Sequence, residues 1–141
     1  SKYYNKDTAF FILKNVQYIT LLNNFSSQDY TGLSIEDEKV YGVYILHPNN
    51  IGRCGHICNA SYAVDKNIRG KGVGEALVRD SIIRGAQLGY KILQFNAVVL
   101  SNETAHRLYK KIGFNEIGIV KNGYLNKNNE YEDIVLYYID L

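Results

Sequence analysis

The chain has 141 residues, 46% of them hydrophobic and 21% charged, with a net charge of +2, which suits one domain with a single core. The slight basic excess is scattered along the chain and argues against a nucleic-acid partner. No apolar run approaches the roughly 20 residues of a membrane span and no signal-peptide pattern is present, so a cytoplasmic protein is the default expectation.

Residues 8–25 are apolar but follow neither helical nor strand periodicity. Asp7 is placed to cap a helix running to about Lys14, and "VQYITLL" reads equally as a strand. "SSQDY" is a loop. "YTGLSIEDEKVYGVYILHP" predicts a hairpin with "EDEK" as its turn, ended by Pro48-Asn49-Asn50. "GHICNASYAV", residues 55–64, is a strand, and "DKNIRGKG" is a loop. From Gly72 to Leu88 the pattern is helical: Val73, Leu77 and Ser81 are spaced by four, and Gly89 suits the C-terminus. "KILQFNAVVL" is a strand almost without charge, as expected of one covered on both faces. "SNETAHRLYKKI" is a second helix, with Ser101 as candidate N-cap and Gly113 as its stop. "FNEIGIVKNG" and "EYEDIVLYYIDL" close the chain as two strands joined by the loop "YLNKNN". The whole is a mixed α/β sheet with helices packed against it.

Two stretches bear on chemistry. "RCGHIC" sets Cys54, His56 and Cys58 two residues apart. On one straight strand their Cα atoms would span roughly 13 Å at about 3.3 Å per residue, too far for one zinc ion or a disulfide. No metal is expected, and the thiols are expected to be reduced.

The second stretch is "RGKGVG", residues 69–74, at a strand-to-helix junction. Amides of a helix's first turn have no intrahelical partner and sit at its positive dipole end. Glycines let a ligand reach them without meeting a Cβ. Arg69 and Lys71 add charge, so the segment reads as an anion site, most naturally for a phosphate or pyrophosphate. The dinucleotide fingerprint fails because Glu75 stands where its last glycine belongs, and the P-loop pattern is absent. A glycine-rich turn without a ligand is the alternative. In the second helix, Asn102 and Tyr109 lie seven residues apart. They share a face about 10 Å apart along the axis, so an elongated ligand could touch both.

These two motifs, in this order and separated by a strand, resemble those of the GCN5-related N-acetyltransferase (GNAT) superfamily. "RGKGVG" resembles its coenzyme-A pyrophosphate loop. "NETAHRLYKKIGF" resembles the helix that follows. The likeness covers residues 40–140 well and the first 35 poorly. It implies one acetyltransferase domain over 1–141, in which the family's N-terminal strand is not placed. The implied fold is a mixed, mostly antiparallel sheet with a central splayed parallel strand pair and flanking helices.

The resemblance also implies acetyl-CoA as cosubstrate. Main-chain groups of Tyr62 and Val64 would pair with its pantetheine arm. Amides of Arg69, Gly70, Lys71, Gly72, Val73 and Gly74 would hold the pyrophosphate, and the Asn102 side chain would bond the arm. Tyr109 would protonate the departing thiolate while the acceptor amine attacks directly. The plainer reading of Tyr109 is a packed aromatic. Many relatives carry a glutamate base on the central strands; here those strands carry Asn59 and Asn96, and Asn cannot be a base. His56 is a candidate base by type, Glu36 and Glu38 carry less weight, and a water chain is the leading account. "GRCGHICNASYAV", "QFNAVVLSN" and "IRGKGVG" are together similar to the branch holding the fungal acetyltransferases of toxic proline analogues and their bacterial relatives. That places Asn59 and Asn96 at the substrate end, for a small amine or amino-acid-like acceptor; the alternative is that they tie neighbouring strands together. A peptide acceptor and a non-catalytic acetyl-CoA sensor are the rival readings. Tyr124, Tyr131, Tyr137 and Tyr138 add aromatic surface for a homodimer through the last two strands, or pack against their own sheet.

Overall fold

The computed structural model describes residues 30–68 and 72–141. The readings made above for residues 1–29 and for Arg69, Gly70 and Lys71 lie outside the described residues. β1 (Tyr30–Glu36) and β2 (Lys39–Pro48) form the expected hairpin. Its two turn residues, Asp37 and Glu38, both have positive φ, 50° and 63°, the conformation that a two-residue turn needs to match strand twist. A short 3-10 turn, Gly52–Cys54, precedes β3 (Ile57–Val64). The strand therefore starts two residues later than expected. Cys54 and His56 are not on it, so the straight-strand spacing does not apply to them. Cys54 is exposed, whereas Cys58 is buried and its thiol meets Ile92 O at 3.3 Å.

α1 (Val73–Gln87) crosses over to β4 (Ile92–Val99), and α2 (Glu103–Ile112) leads into the hairpin of β5 (Asn115–Leu125) and β6 (Tyr131–Asp140). The six strands lie in the order β1-β2-β3-β4-β6-β5. Among the described residues only the β3–β4 neighbours are parallel; the others are antiparallel. This is the expected mixed sheet with its central parallel pair. β5 runs two residues beyond expectation. Asn122 turns left-handed at φ 56°, its N–H is held by Asp133 Oδ1 at 2.9 Å, and pairing resumes at Tyr124 and Leu125.

Both helices cover the same face of the sheet. The pairing Gly42↔Val64, Tyr44↔Tyr62, Leu46↔Ala60 and Cys58↔Leu93 sets these side chains on one side. Tyr44, Leu46, Cys58, Leu77, Leu93, Val135 and Tyr137 are fully buried there. Val73, Leu77 and Ser81 are the buried stripe of α1, as their spacing predicted. α1 lies so close to β2 that a Cβ on Gly42 would stand 2.8 Å from Leu77 Cδ1. Among the described residues no helix is long and apolar enough to cross a membrane.

Candidate functional site

The pairing of β3 with β4 ends after Ile57↔Ile92 and Cys58↔Leu93. Beyond it the strands part, and β4 shifts register against β6 between Phe95 and Val98, a bulge that bends a strand away from its partner. The gap is a cleft of about 370 Å³ lined by Asn59, Ala60, Ser61, Tyr62, Phe95, Asn96, Ala97, Val98 and Tyr109.

The β3 backbone facing this gap is set by the ladder on its other side. Asn49 N–H donates to Ile57 O at 2.8 Å and Asp65 N–H to Tyr41 O at 2.8 Å. In an antiparallel pair the bonded residues alternate, so the odd-numbered residues of β3 are satisfied by β2. The N–H and C=O groups of Ala60, Tyr62 and Val64 then point away from β2, toward the gap. Tyr62 and Val64 are two of the expected residues. Ala60 follows from the same alternation, which no sequence motif marks.

At the end of β3 the chain enters α1. Gly72 is its N-cap, in the left-handed region at φ 68°, with no side-chain cap and nothing within 4 Å of where a Cβ would stand. Only glycine adopts that backbone readily. The first intrahelical bond is Ala76 N–H to Gly72 O at 3.0 Å, so the N–H groups of Val73, Gly74 and Glu75 precede it. A Cβ on Gly74 would meet only Val64 Cγ2, at 4.0 Å. Among the described residues the space over Gly72 and Gly74 is thus nearly clear, and these amides lie at a positive helix end. Glu75, in the same turn, is engaged sideways: Lys111 Nζ lies 2.8 Å and Arg79 Nε 2.9 Å from its carboxylate. Those hydrogen bonds, Lys111's first, hold its carboxyl below the ordinary range.

Tyr109 reaches the cleft from α2. Its ring packs 4.7 Å from Phe95, 5.4 Å from Phe114 and 5.5 Å from Tyr137 between centroids. Burial, with a smaller push from Tyr137, raises its phenol to about 12, so it remains a proton donor at neutral pH. It is at once a packed aromatic and a cleft-lining acid. Behind it, His106 meets Tyr137 Oη through Nδ1 at 2.6 Å, and its Nε2 lies 3.0 Å from Val99 O and 3.1 Å from Leu100 O. Carbonyls only accept, so Nε2 carries the proton and Tyr137 donates to Nδ1. This pair was not foreseen, because no spacing in the sequence links His106 to Tyr137, 31 residues on.

Asn102, not Ser101, caps α2: its Oδ1 accepts from Ala105 N–H at 3.2 Å. Ser101 Oγ donates instead to Glu132 Oε1 at 2.6 Å. The Asn102 carbonyl is therefore engaged in the cap, and Asn102 is not among the described residues that line the cleft.

Asn59 pairs with His47 across β2, one residue out of phase with Ala60, and so belongs to the face opposite the helices. The cleft passes through the sheet, with Tyr109 on the helix face and Asn59 on the other. Asn59 Nδ2 and Asn96 Nδ2 both donate to Asn49 Oδ1, at 3.3 Å and 2.6 Å. His56 sits exposed in the turn before β3 and is not among the cleft-lining residues, and Glu38 lies in the hairpin turn. No Asp, Glu or His is among the described residues that line the cleft, nor does any group of three such side chains and cysteines stand ready for a metal ion among the described residues.

Comparison with known proteins agrees with this arrangement. Residues 4–114 match the model of the acetyltransferase (GNAT) family. A curated relative, the N-acetyltransferase aca1 of Schizosaccharomyces pombe, is 34% identical over 97 residues, covering 68% of this chain and 46% of its own length. Protein SPT10 of Saccharomyces cerevisiae is 31% identical over 87 residues, which cover 61% of this chain and 14% of its own length. The chain thus spans about half the length of the first of these relatives and far less of the second. Among solved structures, a GCN5-related N-acetyltransferase from Kribbella flavida is 33% identical with a TM-score of 0.75, over 79% of this chain and 67% of its own. The protein yncA of Salmonella typhimurium, solved with its cofactor acetyl-CoA, shares the fold: TM-score 0.79 at 16% identity, over 91% of this chain and 76% of its own. The splayed parallel pair, the glycine-capped helix beside it and the extent of these matches lead to one assignment: the chain belongs to the acetyltransferase (GNAT) family.

Proposed function

We propose that the protein transfers the acetyl group of acetyl-CoA directly to the amine of a small, amino-acid-like acceptor. The observation that carries this reading is the continuity of three features. Open amides at the N-terminus of α1 suit a pyrophosphate. The backbone of Ala60, Tyr62 and Val64, directed into the cleft, suits a pantetheine arm. Tyr109 lines the cleft as a neutral phenol. In this reading Arg69 to Gly74 hold the pyrophosphate and the Asn102 amide bonds the arm. The amine enters from the Asn59 and Asn96 face, opposite the helices.

The chemistry then balances without a covalent enzyme intermediate. The neutral amine attacks the thioester carbonyl, the C–S bond breaks, and the thiolate takes the Tyr109 proton. Backbone N–H groups along β3 face the developing oxyanion. With no carboxylate or imidazole among the described lining, the amine's proton passes to water.

Calorimetric titration with acetyl-CoA tests the assignment. The parent chain should bind, and Gly72→Glu, which puts bulk and negative charge before the open amides, should not. Equal binding by both would remove α1 from the site.

A homodimer is part of the same proposal. β5 is the edge of the described sheet and exposes Ile117, Ile119, Val120 and Tyr124, and an unpaired edge strand is complementary to a two-fold copy of itself. Sedimentation should give a dimer that Ile119→Lys dissociates; a monomeric parent chain would end that proposal.

A further inference from the structure

Asn49 follows the strand-ending Pro48 and attracts no attention in the sequence. In the fold it is the hub of an amide network at the mouth of the cleft. Its own N–H is fixed to Ile57 O, which pins its backbone to the start of β3. Its Nδ2 donates to Asn50 Oδ1 at 2.6 Å, so its Oδ1 turns the other way. That one oxygen accepts from Asn96 Nδ2 at 2.6 Å and from Asn59 Nδ2 at 3.3 Å. Asn96 Oδ1 in turn accepts from Gln94 Nε2 at 3.0 Å. Asn59 belongs to β3 and Asn96 to β4, the strands that part there.

The direction of these bonds has a chemical consequence. A side-chain amide has one oxygen with two lone pairs and one nitrogen with two hydrogens. Turning either Asn59 or Asn96 around would set two acceptor oxygens against each other at Asn49. While Asn49 presents its oxygen, each amide is held with its nitrogen toward Asn49 and its carbonyl at the far end. Among the described residues Asn59 Oδ1 keeps both lone pairs and Asn96 Oδ1 keeps one.

We propose that Asn49 is a positioning residue for the acetyl acceptor: through its shared Oδ1 it orients Asn59 and Asn96 so that their carbonyl oxygens receive the N–H groups of the incoming amine. An amine held by its hydrogens keeps its lone pair free to attack the thioester. Two such carbonyls suit an acceptor nitrogen that carries N–H groups, and the lone pair stays clear of them. This inference rests on the acetyltransferase reading above, and its test separates the two.

The experiment compares the parent chain with Asn49→Ala and Asn49→Asp. Acetyl-CoA titration of the parent comes first; absence of binding there overturns the acetyltransferase reading itself. Nitrogen–proton correlation spectra then follow the side-chain amides of Asn59 and Asn96, identified by their loss in Asn59→Asp and Asn96→Asp. Asn49→Ala should shift both signals, and Asn49→Asp, which keeps an accepting oxygen, should retain bonded positions. Unmoved signals in Asn49→Ala, or a shift in only one of them, overturn the shared anchor. With a primary amine that the parent acetylates, Asn49→Ala should raise the amine's KM about tenfold, the scale of one lost hydrogen-bonded anchor. The KM for acetyl-CoA should change less than about twofold on the same scale, and Asn49→Asp should recover most of the loss. Equal rises in both KM values, or no rescue by Asn49→Asp, would mean that Asn49 only stabilises the fold.

Discussion

Replacing Gly74 by alanine separates binding from folding at the proposed pyrophosphate site. Gly74 is the second residue of α1, and its added Cβ would meet only Val64 Cγ2, at 4.0 Å, an ordinary contact. Alanine exceeds glycine in a helix by about 0.5–1 kcal/mol. At the first turn the lower figure applies, so the variant should gain about 0.5 kcal/mol and melt roughly 2 °C higher for a chain of this size. In the proposed binding mode the same methyl crowds the approach of the pyrophosphate to the helix amides. Displacing the ligand by about 1.4 kcal/mol raises its Kd tenfold. Thermal unfolding and acetyl-CoA calorimetry on the same samples should therefore move in opposite directions. A more stable variant with undiminished affinity would refute close approach at Gly74. Gly72 is a less discriminating choice: at φ 68° alanine there carries about 1–2 kcal/mol of left-handed strain, which mixes the two effects.

Tyr109→Phe keeps the ring among Phe95, Phe114 and Tyr137. It should lower turnover by about 10²–10⁴, the range of one general acid, with acetyl-CoA affinity retained; an unchanged rate at every pH removes the acid role. The same variant reads the raised phenol. The unfolded chain loses the Tyr109 proton near pH 10.0 and the folded chain near 12. The parent's stability relative to Tyr109→Phe should thus be level below pH 10 and fall by roughly 2 kcal/mol through that window. A flat difference in denaturant titrations across it would contradict the burial. His106→Ala removes the partner of the Tyr137 hydroxyl in a part-buried pair and should cost about 0.5–1.5 kcal/mol in urea unfolding. Adding Tyr137→Phe should return part of it, and simple additivity would show that the pair is not coupled.

The elements were legible because their periods and stops are physical. Val73, Leu77 and Ser81 repeat every turn, Gly113 ends α2 in the left-handed region, and the uncharged β4 is central. Boundaries failed where a local bond decided them. Asn102 outcompeted Ser101 as cap because its oxygen reaches Ala105 N–H, while Ser101 is drawn to Glu132. β5 outran its expected end because Asp133 holds the bulge at Asn122. At the site, the glycines and Tyr109 announced themselves through spacing. Ala60 and Asn49 did not. One acts through backbone direction set by the β2 ladder, and the other through a bond to a strand 47 residues away. Such long-range partners leave no periodic trace.

Thiol release from acetyl-CoA tests the central claim most directly, measured against small amines, amino acids, proline analogues and lysine peptides, with the acceptor's mass followed alongside. The account predicts release that depends on one class of small amine, and a gain of one acetyl group on that amine's nitrogen. Tight acetyl-CoA binding with no amine-dependent release from any of them would contradict it and leave a cofactor-binding module. Release with lysine peptides alone would contradict the small acceptor.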